Sequence, residues 1–159
     1  MRMFSLVLAG IALLTACGES GPAAAACPEI AARAGIGIDI EPPLAAKVAK
    51  ASLNGTDVHL DESTRAEPGD CAGKKPEDTC KATMVPTGAK NGFLDMTGLK
   101  LEPTRVSVRL TDSAGAVLVE KDIEITPKQV FPHGKPECGG AQPQAGVIVA
   151  ADGTLRARP

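Results

Sequence analysis

Most of the reactive chemistry available to this chain of 159 residues lies in five cysteines, Cys17, Cys27, Cys71, Cys80 and Cys138, and two histidines, His59 and His133. Four or more thiolates can hold zinc when they come in close pairs, but no C-x-x-C occurs and the spacings are irregular. His59 stands between Val58 and Leu60, so in a strand its side chain points away from theirs and shares a face with Asp57 and Asp61. That set offers nitrogen and oxygen ligands for a weakly held cation, but the ordinary reading is a solvated strand face. His133 lies in a loop rich in proline and glycine near Cys138, and would need a further His or Met to bind copper. Met84 and Met96 are distant in sequence, and methionine in an apolar stretch usually packs into a core. For nucleophilic catalysis there is no G-x-S-x-G elbow. Ser63, His59 and Asp61 fall close together, yet a triad is defined by spatial roles and not by nearness in the chain. Glu62, Glu67, Asp70, Glu77 and Asp78 are carboxylates in one polar stretch without a D-x-D-x-D-G calcium pattern. Lys74, Lys75 and Lys81 form a short basic cluster that salt screens. The residues themselves therefore give no catalytic set, no metal centre and no cofactor, and the enzyme and copper-carrier readings stand only as alternatives.

The cysteines divide once the amino terminus is read. Arg2 precedes an apolar run from Phe4 to Ala16, interrupted by Ser5, Gly10 and Thr15. At about thirteen residues it is shorter than the roughly twenty a helix needs to cross a bilayer, and its layout is that of a signal peptide. The stretch Leu14-Thr15-Ala16-Cys17 that follows resembles the lipobox of bacterial lipoprotein precursors. That resemblance implies a diacylglycerol thioether on Cys17, cleavage after residue 16 and acylation of the new amino terminus, so that the membrane is a partner through lipid. A plain secretory signal or a buried N-terminal helix are the other readings. One acyl chain holds a protein weakly and two or three hold it firmly, because each buried methylene adds about 0.8 kcal/mol. Gly18 stands where lipoproteins kept in the inner membrane carry aspartate, so an outer-membrane location is expected if the organism has two membranes. Residues 17–26 contain little but glycine, alanine and other small residues, and read as a flexible tether.

With Cys17 acylated, four cysteines remain in a chain that leaves the cytoplasm, and two disulfides follow. Cys71 and Cys80 flank a polar, turn-rich octapeptide and are expected to pair; Cys27 and Cys138 then pair by elimination. Residues 27–159 suit one domain. The formal net charge of −2 falls to about −3 without Arg2. No basic cluster suits phosphate contacts, so nucleic acid is not an expected partner. Trp and Tyr are absent and only Phe93 and Phe131 follow the leader. Stacking platforms and aromatic interface anchors are missing with them.

The elements that must position these groups are short and alternate with period two. Cys27 to Gly35 reads as a helical turn or two, opened by Pro28 and stopped by Gly35. Ile36, Ile38 and Ile40 alternate with Gly37 and Asp39, predicting a strand over 35–41 that Pro42-Pro43 ends. Strands over 46–53 and 56–60 flank Asn54-Gly55, a strong hairpin signal. Asp61 to Thr79 reads as a long surface loop stapled by the short disulfide. A strand over 80–85 is broken by Pro86-Thr87-Gly88, and the segment holding Phe93, Leu94, Met96, Leu99 and Leu101 has no readable register. Val106, Val108 and Leu110 alternate with Arg105, Ser107 and Arg109, and across Ser113-Ala114-Gly115 a partner strand runs from Val117 to Ile125. A last hairpin spans 146–151 and 154–158 around Asp152-Gly153.

Many short strands and no long amphipathic helix predict a mainly β chain, an antiparallel β-sandwich of immunoglobulin-like or transthyretin-like type with two disulfides. The strand Gly35-Ile36-Gly37-Ile38-Asp39-Ile40, the phrase from Val106 to Asp112 with Gly115, and Pro132 through Gly140 also resemble a loose set of secreted or lipid-anchored β-sandwich proteins of actinobacterial type. That resemblance implies fold and location and brings no catalytic residue. The expected function is a lipid-anchored cell-envelope module for binding, scaffolding or interaction with an envelope protein, its contact surface formed by the loops 61–79 and 126–144.

Overall fold

The isoleucines of β1 (Gly35–Ile40) are completely inaccessible to water at positions 36, 38 and 40, the outcome that strict alternation demands when one strand face enters a core. In this computed structural model the described residues are 27, 31–69, 82–132 and 136–159. They are mainly β and form two sheets. In the first, β1 lies between β5 (Ala82–Asp95) and β9 (Gln142–Val149); β4 (Leu60–Pro68) extends the sheet beyond β5. On the far edge of β9, β8 (Lys128–Val130) pairs with its beginning and β10 (Leu155–Ala157) with its end. The second sheet has the order β3 (Thr56–Val58), β2 (Lys50–Leu53), β6 (Thr104–Thr111), β7 (Val117–Ile125). One apolar cluster joins them, with Ile36, Ile38, Ile40, Val147 and Val149 from the first sheet and Leu53, Val106, Val108 and Leu110 from the second.

The hairpins form where turn chemistry predicts them. Asn54 and Gly55 take φ of 51° and 77°, the left-handed pair that a two-residue turn with correct strand twist requires. The Asn54 side-chain oxygen also accepts from the backbone N–H of Ser107 at 2.9 Å, tying the turn to β6. Asp112 accepts from the N–H groups of Ala114 and Ala116, each at 2.9 Å, and closes the turn before β7. Asp152 does the same for Thr154 at 2.8 Å.

Five expectations need correction. The sandwich is not purely antiparallel, because β1 and β9 pair in parallel, Gly35 level with Gln144 and Ile40 with Val149. Parallel neighbours need no turn between them and so leave no local signal. Residues 44–47 form a turn of helix, α1 (Leu44–Lys47), instead of beginning a strand. Leu44, Ala45 and Val48 are buried and close one end of the core with helical spacing. Residues 31–34 are not helical; Ala34 accepts a hydrogen bond from the Met96 N–H and Ala32 donates to Gly140. Asp61 to Pro68 is strand and not loop, paired along β5. Finally, β5 runs through Pro86-Thr87-Gly88, beyond the end of β1, with a register shift opposite Glu62 and Thr64 that absorbs the irregularity.

Cys27 and Cys138 are joined by a disulfide, with Cα atoms 5.3 Å apart and a sequence separation of 111. Cys17, Cys71, Cys80 and His133, with the proposed short bridge, lie outside the described residues. Two substitutions test the fold. Ile38→Ala should cost about 2–5 kcal/mol through lost transfer energy and an unfilled cavity. Cys138→Ser should cost about 2–5 kcal/mol by releasing a long loop in the unfolded chain, and reduction of the unmodified protein, which also opens the expected Cys71–Cys80 bridge, should lower the guanidinium midpoint at least as far.

Candidate functional site

The face of the first sheet turned away from the core is concave around β1. Alternation that buries the isoleucines places Gly37 and Asp39 on this outer face. Pairing brings Phe93 and Gly146 level with Gly37, and Asn91 level with Asp39. On the other side of β5, Asp61 is level with Asn91. His59, one residue before the Leu60–Gly92 pair, comes level with Phe93. Arg33 arrives from the segment before β1, and Arg158 from the segment after β10, its backbone N–H donating to Gly146 at 2.8 Å. These groups line a groove of about 490 Å³, within the range of small-molecule sites.

Two glycines exist here because of one arginine. A β-carbon on Gly146 would stand 2.8 Å from Arg158 Nε, and one on Gly37 would stand 3.1 Å from its terminal nitrogens. The Arg158 side chain lies flat over both bare positions and its guanidinium donates to the Asp39 carboxylate. Gly92 serves the opposite face: a β-carbon there would come 2.5 Å from the His59 carbonyl and 2.7 Å from Val58. Its absence lets the corner between β3 and β4 cross closely over β5, which is how His59 reaches the rim.

The remaining charges are also paired. Arg33 donates from Nε to Asp95 Oδ1 at 2.8 Å and from a terminal nitrogen to the other oxygen at 2.5 Å. It sits 4.6 Å from the centre of the Phe93 ring, a cation–π contact. The hydrogen bonds from Arg33 hold Asp95 below the usual aspartate range, with coulombic attraction adding and desolvation opposing. Arg33 is held correspondingly upward, chiefly by the same hydrogen bonds. His59 Nε2 lies 3.2 Å from Asp61, and Asn91 donates to the Ser63 hydroxyl at 2.8 Å.

The pattern has an order along the strands. By backbone position Arg33 and His59 flank Phe93 near the level of Gly37, while Asp39, Asn91 and Asp61 lie two residues further along, about 7 Å at the rise of a strand. Arg158 reaches Asp39 and His59 reaches Asp61, so basic and carboxylate side chains meet as pairs inside the hollow.

Of the residues singled out by sequence, His59 and Asp61 come together here and Asp57 does not, since Asp57 pairs with Ser52 in the second sheet. Among the described residues no three His, Cys, Asp or Glu side chains are placed to hold a metal. Ser63 bonds Asn91 and not His59, so the three do not form a triad. Glu67 pairs with Arg65 at 2.8 Å on β4, while Asp70, Glu77, Asp78 and all three clustered lysines lie outside the described residues. Arg33, Asp39, Asn91, Phe93 and Arg158 were not singled out. Their only sequence signal is glycine and aspartate on the outward positions of a strand whose inward positions are isoleucine. No protein-family model, curated protein or solved structure matches the chain.

Gly146→Ala should destabilise the protein by about 1–3 kcal/mol through crowding against Arg158, and in the Arg158→Ala background most of that cost should vanish in a double-mutant cycle read by denaturant unfolding. The Arg33–Asp95 pair gives a pH signature. Because the folded-state value of Asp95 is depressed, its contribution is fully present above the unfolded value near 3.8 and is lost as pH falls through the folded value. Carboxyl carbon NMR should show Asp95 titrating below the ordinary aspartate range, and Arg33→Ala should return it to that range.

Proposed function

We propose that this protein is a lipid-anchored binding module of the bacterial cell envelope, an immunoglobulin-like or transthyretin-like sandwich that takes a small polar ligand in the groove over β1. The lipobox Leu14-Thr15-Ala16-Cys17 supports the anchor and the extracytoplasmic location. The pairing of Cys27 with Cys138 suits an oxidising compartment, where Cys71 and Cys80 would form the second bridge. No described helix is long and apolar enough to cross a membrane, and lipid on Cys17 would supply attachment instead.

The observation that carries the binding reading is a hollow lined by paired charges, Arg158 on Asp39 and His59 beside Asp61, with Arg33 at its edge. A ligand bearing both charges can exchange partners with such a pair on both sides, which makes a short zwitterionic peptide the proposed chemistry. Its carboxylate would lie toward Arg33, Arg158 and His59 and its ammonium toward Asp39 and Asp61. The contact surface is then the sheet face and not the loops 61–79 and 126–144, much of whose described length is strand. An envelope protein with an exposed chain end would offer the same group.

Isothermal titration with dialanine, N-acetyl-dialanine and dialanine amide tests this. Dialanine should bind, each blocked form should bind about tenfold more weakly or worse, and Asp39→Ala or Arg158→Ala should have a similar effect, a loss of about 1.4 kcal/mol. Absence of binding, or equal binding of all three compounds, would remove the groove as the functional site.

A further inference from the structure

The disulfide and the strand directions together determine which end of the protein faces the membrane, given the lipid on Cys17 proposed above. Cys27 is bonded to Cys138, and Cys138 sits in a short 3₁₀ turn, Pro136–Cys138, just before β9. Because β1 and β9 are parallel, both start at that end, and β5, antiparallel to β1, finishes there at Asp95. The Met96 N–H donates to Ala34 and the Ala32 N–H to Gly140, fastening the same end. Ten residue steps separate Cys17 from Cys27, and no conformation of them spans more than about 35 Å. The bridged end is therefore confined to within about 35 Å of the acyl chains.

The opposite end is elongated. Ile40, the last residue of β1, is level with Lys90, yet β4 and β5 continue as a two-stranded ribbon to the Pro68–Ala82 pair. Those eight further residues of β5 run about 27 Å past the end of β1, the first of them packed beside Pro42 and α1, and the whole of β5 extends about 43 Å from Asp95 to Ala82. The ribbon carries Glu62, Arg65 and Glu67 on its edge strand, charges that discourage pairing with another sheet, and exposes Met84 at 59%.

We infer that the anchored protein stands on its bridged end, with the groove opening sideways and the β4–β5 ribbon held away from the bilayer. The bilayer covers the surface around Cys138, Thr97 and Gly139. A soluble partner meets the ribbon first. Orientations that bring the ribbon to the lipid require the body to tip until its ribbon end falls below its bridged end.

The test uses the full lipidated protein in phosphatidylethanolamine–phosphatidylglycerol vesicles carrying a headgroup acceptor dye. A genetically encoded fluorescent residue is placed at Thr97 or at Thr83, both exposed. Energy transfer from position 97 should exceed that from position 83 by about threefold or more, given the length of β5. Inserting about twenty Gly-Ser residues after Ser20 should bring the ratio toward one, since reach grows with linker length. Equal or reversed transfer in protein that floats with the vesicles would overturn the orientation while leaving the anchor intact. If Cys17→Ser protein floats as well as the unmodified protein, the lipid anchor itself fails and the orientation falls with it.

Discussion

Ile36, Ile38 and Ile40 leave water completely when β1 joins the apolar cluster that also holds Val106, Val108 and Leu110 of the facing sheet. At about 1.5–3 kcal/mol for each fully buried side chain, the three together rival the net stability of an ordinary domain, about 5–15 kcal/mol. Everything else on this strand is then determined by the pleat. Positions 37 and 39 must face outward, and because β5 and β9 flank β1 on both sides, whatever stands there lies in the middle of a broad sheet and not at its rim. A shift of one residue in register would expose the isoleucines and bury Asp39. The core thus specifies the floor of the groove.

The charges above that floor do little for stability. Arg33 and Asp95 are each 62% exposed, and Arg158 and Asp39 about 40%, a setting in which ion pairs contribute between nothing and about 1 kcal/mol. The same holds for Arg105 with Asp122 and Arg109 with Glu120 on the outer face of the second sheet. Those two pairs join adjacent strands directly, as solvated faces commonly do. The groove pairs differ in that Arg158 crosses two strands over Gly146 and Gly37, an arrangement for which two strand positions gave up their side chains. Glycine inside a strand weakens it, so this layout costs stability that the surface pair cannot fully return. With a core of aliphatic side chains only, the bridge between Cys27 and Cys138 offsets part of that deficit.

Sequence periodicity found the elements whose two faces differ in polarity and missed those whose faces do not. The alternation at 105–110 read true because one face is buried and the other wet, and that at 36–40 because isoleucine alternates with glycine and aspartate, even though Arg158 covers Gly37. Along β4, Asp61 through Glu67 is polar on both faces, so the strand looks like a loop until its backbone partners on β5 are known. Residues 46 and 47 read as the start of a strand, whereas the buried positions Leu44, Ala45 and Val48 follow helical spacing over too few residues for a period to show. The parallel pair of β1 and β9 joins segments more than a hundred residues apart and has no turn to announce it. For the groove, only His59 and Asp61 attracted notice, since they are neighbours in sequence. Arg33, Asn91, Phe93 and Arg158 meet solely through pairing in the sheet.

A site built from paired charges selects by what it leaves behind. A singly charged anion that drew Arg158 away from Asp39 would leave that carboxylate half-exposed and without its cation, so the gain on one side would be offset on the other. A cation competing for Asp39 would strand Arg158 in the same way. A ligand carrying both charges avoids this, because each protein group exchanges one partner for another of the same sign and the groove stays neutralised throughout. Discrimination then comes from the cost of the unpaired group in the wrong complex more than from the strength of any contact in the right one. That is the physical reason a hollow whose ions are already satisfied can still distinguish a zwitterion from its blocked forms.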